Sequence, residues 1–170
     1  DISATGISYH HHSVALISFA IADKLCLPTK ERNLLFLSAL VHDAGVITSH
    51  ELSDLITFED INPFEHCRRG YDIFCRSNYM KEISQILLHH HDRWQGMRIP
   101  GIFEDMLQTC SNIIYLSDRV AVLLESSDGY VLYKAEEIID KIVKNRGLSF
   151  NPKVVDAFIE ASKPESFWLD

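Results

Sequence analysis

Apolar side chains recur along this chain at steps of three and four residues, and no stretch alternates convincingly between apolar and polar positions. Val14, Ile17, Ile21 and Leu25 fall on one stripe that stops near Leu27 and Pro28. Thr29 is placed to N-cap a helix holding positions 34–44, with Gly45 as its stop. Asn62 and Pro63 read as a cap and first-turn proline for a helix reaching 76. Further helices are expected over 79–91, 103–125, 134–145 and 152–162. A loop containing Trp94, Gly96 and Pro100 spans 92–101, and Ser126-Ser127-Asp128-Gly129 breaks the longest helix. No repeat, linker or low-complexity tract divides the 170 residues, so the pattern predicts one all-α domain over 1–170.

At 46% hydrophobic and 24% charged residues, the composition is that of an ordinary globular protein. No apolar run approaches the roughly 18 residues that span a membrane, and no signal peptide opens the chain, so a cytoplasmic protein is expected. The first residue is Asp1 rather than Met, which suggests a piece excised from a longer protein with an upstream regulatory or sensor domain. Cys26, Cys67, Cys75 and Cys110 are scattered without a CxxC pair and read as thiols in a reducing compartment. A net charge of −8 argues against a broad basic surface for duplex nucleic acid. An anionic substrate would need a local positive centre.

Nine histidines are the compositional oddity, and their spacing changes the picture. His10 precedes Val14 by four residues and Ile17 by seven, so it shares their stripe. His90 lies seven after Ile83 and four after Ile86, and His91 lies four after Leu87, whereas His89 points elsewhere. Asp118 sits at helical spacing from Ile114, Tyr115, Ala121 and Val122. His66 lies four before Gly70 and seven before Ile73, and the apolar run 34–41 delivers His42 and Asp43 directly into the interior.

Each residue alone has a plainer alternative. A single inward histidine is usually a hydrogen-bonded core residue, and Asp118 could pair with Arg119. The triplets at 10–12 and 89–91 could be solvated or, for the first, a tag remnant. Taken together, five imidazoles and two carboxylates make a poor core without partners, because burying an ionised carboxylate costs several kcal/mol. Divalent cations would supply both the charge and the imidazole partners, and the count suits two ions with Asp43 between them.

In this order the residues resemble the HD superfamily of metal-dependent phosphohydrolases, and within it the HD-GYP family. The resemblance rests on His10, "HDAG" at 42–45, "HCRRG" at 66–70, "HHDRWQG" at 90–96 and "SDR" at 117–119, and it continues through "KAEEII" and "GLSFNPKVVDAFIEA". It implies a bundle of about seven or eight helices around a buried metal centre that hydrolyses cyclic di-GMP or a related cyclic dinucleotide. By the same resemblance His10, His42 and Asp118 would bind one ion, and His66, His90 and His91 the other. Asp43 would bridge them, and a hydroxide shared between the ions would attack phosphorus. Iron is the first choice of metal and manganese the second.

Departures from the family pattern fall around the substrate. Gly6 stands where some members carry a glutamate for a third metal, so two ions are expected. Val46 replaces a lysine expected at substrate phosphate, Arg98-Ile99-Pro100 replaces the GYP tripeptide, and Ala121 replaces an aspartate. Losing the lysine would cost on the order of 1.5–3 kcal/mol of phosphate binding. Arg93, Arg98 and Arg119 are candidate replacements, and Trp94 is either a lid over guanine or a loop anchor. Three readings follow: a cyclic dinucleotide phosphodiesterase, fast or slow, a cyclic dinucleotide-binding or signalling module of weak or no activity, or a hydrolase of another phosphoester.

Overall fold

The computed structural model describes residues 2–47, 51, 64–95, 105–126 and 131–169. Among them are eight α-helices: α1 (Ile2–Lys24), α2 (Thr29–Leu40), α3 (Phe64–Phe74), α4 (Lys81–Leu88), α5 (Asp105–Glu125), α6 (Val131–Lys144), α7 (Pro152–Ala161) and α8 (Ser166–Leu169). A single bridge between Arg146 and Phe150 is the extended pairing seen among the described residues. The expected all-α architecture is present.

Helix α5 is the axis. Every residue from 110 to 122 is buried, because α1, α4, α6 and α7 all pack against it. Val14, Ile17 and Ile21 of α1 meet Ile113, Ile114, Leu116 and Val120 of α5 in one apolar cluster that also takes in Val154, Val155 and Phe158 of α7. Each such side chain contributes roughly 1.5–3 kcal/mol when removed from water. A central helix buried on all sides has no solvent face for Asp118 and Arg119, which therefore need each other or a ligand.

The chain reversals explain where helices stop. Cys26 adopts φ 53°, and Leu27 N–H bonds to Ala22 O while Cys26 N–H bonds to Asp23 O, closing a Schellman cap without a glycine. The expected cap at Thr29 is corrected: Pro28 is the N-cap, and Thr29 is already helical. Helix α2 ends at Leu40 rather than 44, so His42 and Asp43 lie in the turn that follows it. Likewise α4 ends at Leu88, and His90 and His91 occupy the next turn rather than the helix. Asn151 caps α7 as its side-chain oxygen accepts from Lys153 N–H. The expected cap at Asn62-Pro63 and the breaker at 127–129 lie outside the described residues.

Two polar ties hold the C-terminal part against the site. Buried Asn112 of α5 donates to Ser149 O at 3.0 Å and accepts from Asn151 N–H at 2.7 Å. The Trp94 N–H also donates to Ser149 O, and the Gln95 N–H to Leu148 O. The turn at 146–151 thereby fixes both α5 and the segment leaving His91.

Candidate metal centre

Two turns carry His42, Asp43, His90 and His91, and glycine lets the first of them rest on α3. A Cβ on Gly45 would lie 2.6 Å from Gly70 N and 2.9 Å from the His66 carbonyl carbon, so the turn after α2 rests directly on the α3 backbone. Arg69 Nε donates to Gly45 O at 2.7 Å and its guanidinium pairs with Glu51, pinning the same corner. Asp43 is thereby set beside His66.

The expected residues converge in two groups on either side of Asp43. Its Oδ2 lies 3.1 Å from His42 Nε2 and 4.0 Å from His10 Nε2. Its Oδ1 lies 3.6 Å from His66 Nε2 and 3.8 Å from His90 Nε2. Asp118 Oδ1 completes the first group, 3.1 Å from His10 Nε2 and 4.0 Å from His42 Nε2. In the second group His66 Nε2 and His90 Nε2 stand 3.4 Å apart, and the His91 ring lies 4.2 Å from that of His90. The Tyr115 ring packs edge-on against His91 at 5.4 Å.

Tautomers follow from the outer hydrogen bonds. His42 Nδ1–H donates to Ala39 O at 2.8 Å, and His90 Nδ1–H donates to Leu87 O at 2.6 Å. Their Nε2 atoms then carry lone pairs turned inward. His42 Nε2 is buried without a hydrogen-bond partner although a carboxylate oxygen lies 3.1 Å away. Two acceptors at that separation repel unless a cation lies between them. The donor set fits divalent metal on both sides of Asp43.

Without cations, protons take up part of that role. Burial alone would lower the His10 imidazole, but its bonds to Asp118 and Glu125 outweigh this and raise it from 6.5 to about 10. His90 is also raised, against its burial, by the Cys67 sulfur and Asp43. Burial and neighbouring imidazoles lower His11 to about 4 and His66 to about 3. Against their burial, His42 holds Asp43, and Arg119 with His10 holds Asp118, below the ordinary carboxylate range.

The metal-free protein is accordingly expected to be most stable near pH 6.5. Below that, the unfolded chain takes up protons that His11 and His66 refuse, so stability falls as pH drops toward 4 and 3. Above it, the stabilising charge on His10 is progressively lost as pH rises toward 10. Calorimetric melts from pH 4 to 9 test this dome, and added divalent cation should flatten its alkaline side by replacing the protons.

Residues 7–123 match the HD domain family. The chain belongs to the HD domain family. This HD domain is 26% identical over 117 residues to 3'3'-cGAMP-specific phosphodiesterase 1 of Vibrio cholerae, a match covering 68% of the chain and 27% of that protein. It is 25% identical over 162 residues to a cyclic di-GMP phosphodiesterase of Thermotoga maritima, covering 91% of the chain and 44% of the relative. The fold is shared with the crystal structure of a cyclic GMP-AMP specific phosphodiesterase of Vibrio cholerae, with TM-score 0.65, 21% identity and coverage of 93% and 44% of the two chains. The HD domain thus spans less than half the length of these relatives. No described helix is long and apolar enough to cross a membrane.

Other expected residues fall outside this convergence. Arg119 is buried, with its NH2 2.6 Å and Nε 3.2 Å from Asp118 Oδ2, so it backs that carboxylate from the side away from His10. Both readings of Asp118, pairing with Arg119 and facing the histidines, hold at once through its two oxygens. Arg93 is exposed, and Trp94 is half-buried with its backbone tied to Ser149. Arg98 and the tripeptide at 98–100 lie outside the described residues.

Sequence reasoning missed three neighbours. His11 Nε2 lies 3.9 Å from Asp43 Oδ2, inside a triplet that looked like a solvated helix start. Cys67 joins the second group. Glu125 Oε1 accepts from His10 Nδ1–H at 2.9 Å, and its position seven residues after Asp118 was the available signal. Glu125→Ala is expected to weaken metal affinity roughly 10–100-fold, because the carboxylate orients His10 and raises its basicity. Glu125→Gln, whose amide oxygen still accepts that bond, should lose much less. Chelator competition measures both.

Proposed function

We propose that this HD domain, of HD-GYP type, is the catalytic part of a metal-dependent phosphodiesterase that opens cyclic dinucleotides. One observation carries the reading: the two oxygens of Asp43 face two separate ligand groups, 3.1 Å from His42 on one side and 3.6 Å from His66 on the other. A purely structural site has little need of a shared carboxylate. The relatives named as cyclic dinucleotide phosphodiesterases support the substrate class.

His10, His42 and Asp118 would hold one divalent ion, and His66, His90 and His91 the other, with Asp43 serving both. Iron is the first candidate and manganese the second, and Gly6 gives no ligand for a third. Such ions supply Lewis acidity, which makes water acidic at neutral pH and offsets charge developing on phosphate. The chain's own contribution is orientation. Ala39 O, Leu87 O and Glu125 fix three imidazoles, and Arg119 fixes Asp118. Arg93, Trp94 and Arg98 are the proposed substrate contacts. Arg119 acts through Asp118. The oxygen of water adds to phosphorus, the bond from phosphorus to the ribose oxygen breaks, a proton from the water ends on that oxygen as a hydroxyl, and a linear dinucleotide leaves.

The test is incubation of anaerobically loaded protein with 3'3'-cGAMP, cyclic di-GMP and a panel of simple phosphoesters, under iron and manganese separately. Linear dinucleotide is the expected product. Tight cyclic dinucleotide binding without product under either metal would make this domain a binding module. Turnover confined to other phosphoesters would assign a different substrate.

A further inference from the structure

The second ligand group contains a sulfur that the proposed function does not use. Cys67 sits next to His66 on α3 and is 2% exposed. Its Sγ lies 3.7 Å from His66 Nε2, the atom that faces Asp43 and His90. It also lies 3.7 Å from His90 Nδ1, which already donates to Leu87 O, so of these two contacts the inward one is with His66 Nε2. One donor atom from each of His66, Cys67, His90 and His91 lies within 4.8 Å of the others, and all four residues are buried.

These separations match a common ion. Zinc-like tetrahedral sites place nitrogen about 2.0–2.1 Å and sulfur about 2.3 Å from the metal, which puts two nitrogens roughly 3.3 Å apart and a nitrogen and a sulfur roughly 3.6 Å apart. The corresponding distances here are 3.4 Å for His66 Nε2 to His90 Nε2 and 3.7 Å for His66 Nε2 to Cys67 Sγ. The other cysteines have no such company. Cys110 lies in the apolar core, where burial pushes its thiol up to about 12, and its sulfur neighbour is Met106 at 3.7 Å. Cys26 is exposed, and Cys75 contacts Asp72 O.

We propose that Cys67 supplies a thiolate ligand to the ion held by His66, His90 and His91, adding a sulfur to the three imidazoles and the shared Asp43 carboxylate of that half. The proposal rests on the reading of the site as a metal centre. On binding, the thiol proton is released to solvent and the sulfur lone pair forms the bond to the cation. The two halves of the centre then differ in kind. Carboxylates and imidazoles surround one ion, while a soft sulfur joins the other and favours iron or zinc over manganese.

Cobalt(II) reports on the ligand directly. Loaded protein should show visible ligand-field bands together with a sulfur-to-cobalt charge-transfer band in the near ultraviolet. Cys67→Ser should keep the ligand-field bands and lose the charge-transfer band. Its zinc affinity should fall by on the order of 10–100-fold, with a smaller change for manganese. Cys67→Ala, checked for an unchanged helical circular dichroism spectrum, serves if the serine variant misfolds, and Cys110→Ala should leave the band in place. Cobalt uptake without the charge-transfer band, or a band that survives in both Cys67 variants, overturns the proposal and leaves the metal centre standing. Absence of any cobalt uptake overturns both.

Discussion

Replacing Asp43 with asparagine is expected to lower cyclic dinucleotide hydrolysis by about a thousandfold or more. The substitution preserves size and leaves the turn at 41–45 intact, since that turn is closed by the backbone bonds Ala44 N–H to Val41 O and Val46 N–H to Asp43 O. What it removes is charge. In the proposed centre both ligand groups share the one carboxylate, whose Oδ2 faces His10 and His42 and whose Oδ1 faces His66 and His90. An amide offers one oxygen, and it turns an NH2 group toward whichever side receives the nitrogen, where it repels a cation. Metal content should therefore drop along with turnover, which separates this variant from one that only misplaces substrate. Asp43→Asn protein that keeps two ions and a turnover within tenfold of wild type would remove the bridging role.

How far these features were legible in the sequence depended on how local their cause was. Helices α1, α5 and α7 were readable because their apolar stripes over 14–22, 107–121 and 154–158 lie against one another. His90 and His91 were placed inward by counting from Ile83, Ile86 and Leu87, and that count held although the helix ends at Leu88, because one more turn of similar pitch follows. His66 was placed inward from both Gly70 and Ile73. Gly70 is buried against Leu87, but Ile73 is 55% exposed. Helix α8 is four residues long, too short for any period to show, and it exists because Trp168 is buried and donates to Ser162 O.

The residues around the ligands were harder to read. Glu125 at a helix end has the composition of a solvated face, and its partner His10 is 115 positions away. The Ala39 and Leu87 carbonyls that set two tautomers leave no trace in side-chain identity. Cys67 read as one more buried thiol until the fold brought His90 to it. Ligands recur at spacings that helices impose, whereas the groups that orient them answer to contacts made only after folding. That asymmetry explains why seven ligand candidates could be named in advance and their supports, apart from Arg119 beside Asp118 in sequence, could not.

Gly45→Ala is expected to be the most damaging substitution that touches no ligand. The added carbon would press on the His66 carbonyl group and on Gly70 N, which are backbone atoms within a helix and cannot rotate away. Overpacking of this kind costs about 3 kcal/mol or more, which for a domain of this size lowers the melting midpoint by roughly 6–12 °C. Relief requires the α2 turn and α3 to move apart, and that motion carries Asp43 away from His66, whose Nε2 now lies 3.6 Å from Oδ1. The second ligand group should therefore lose metal affinity beyond what the loss of stability explains. Gly70→Ala provides the contrast, because its added carbon would meet Leu87 Cδ2 at 3.3 Å, the end of a side chain that can shift. If Gly45→Ala melts within a few degrees of wild type and binds both ions normally, the close contact between turn and helix is not what joins the two halves of the centre. If it loses the second ion while Gly70→Ala keeps it, the absence of one methyl group is what allows a single carboxylate to serve two metals.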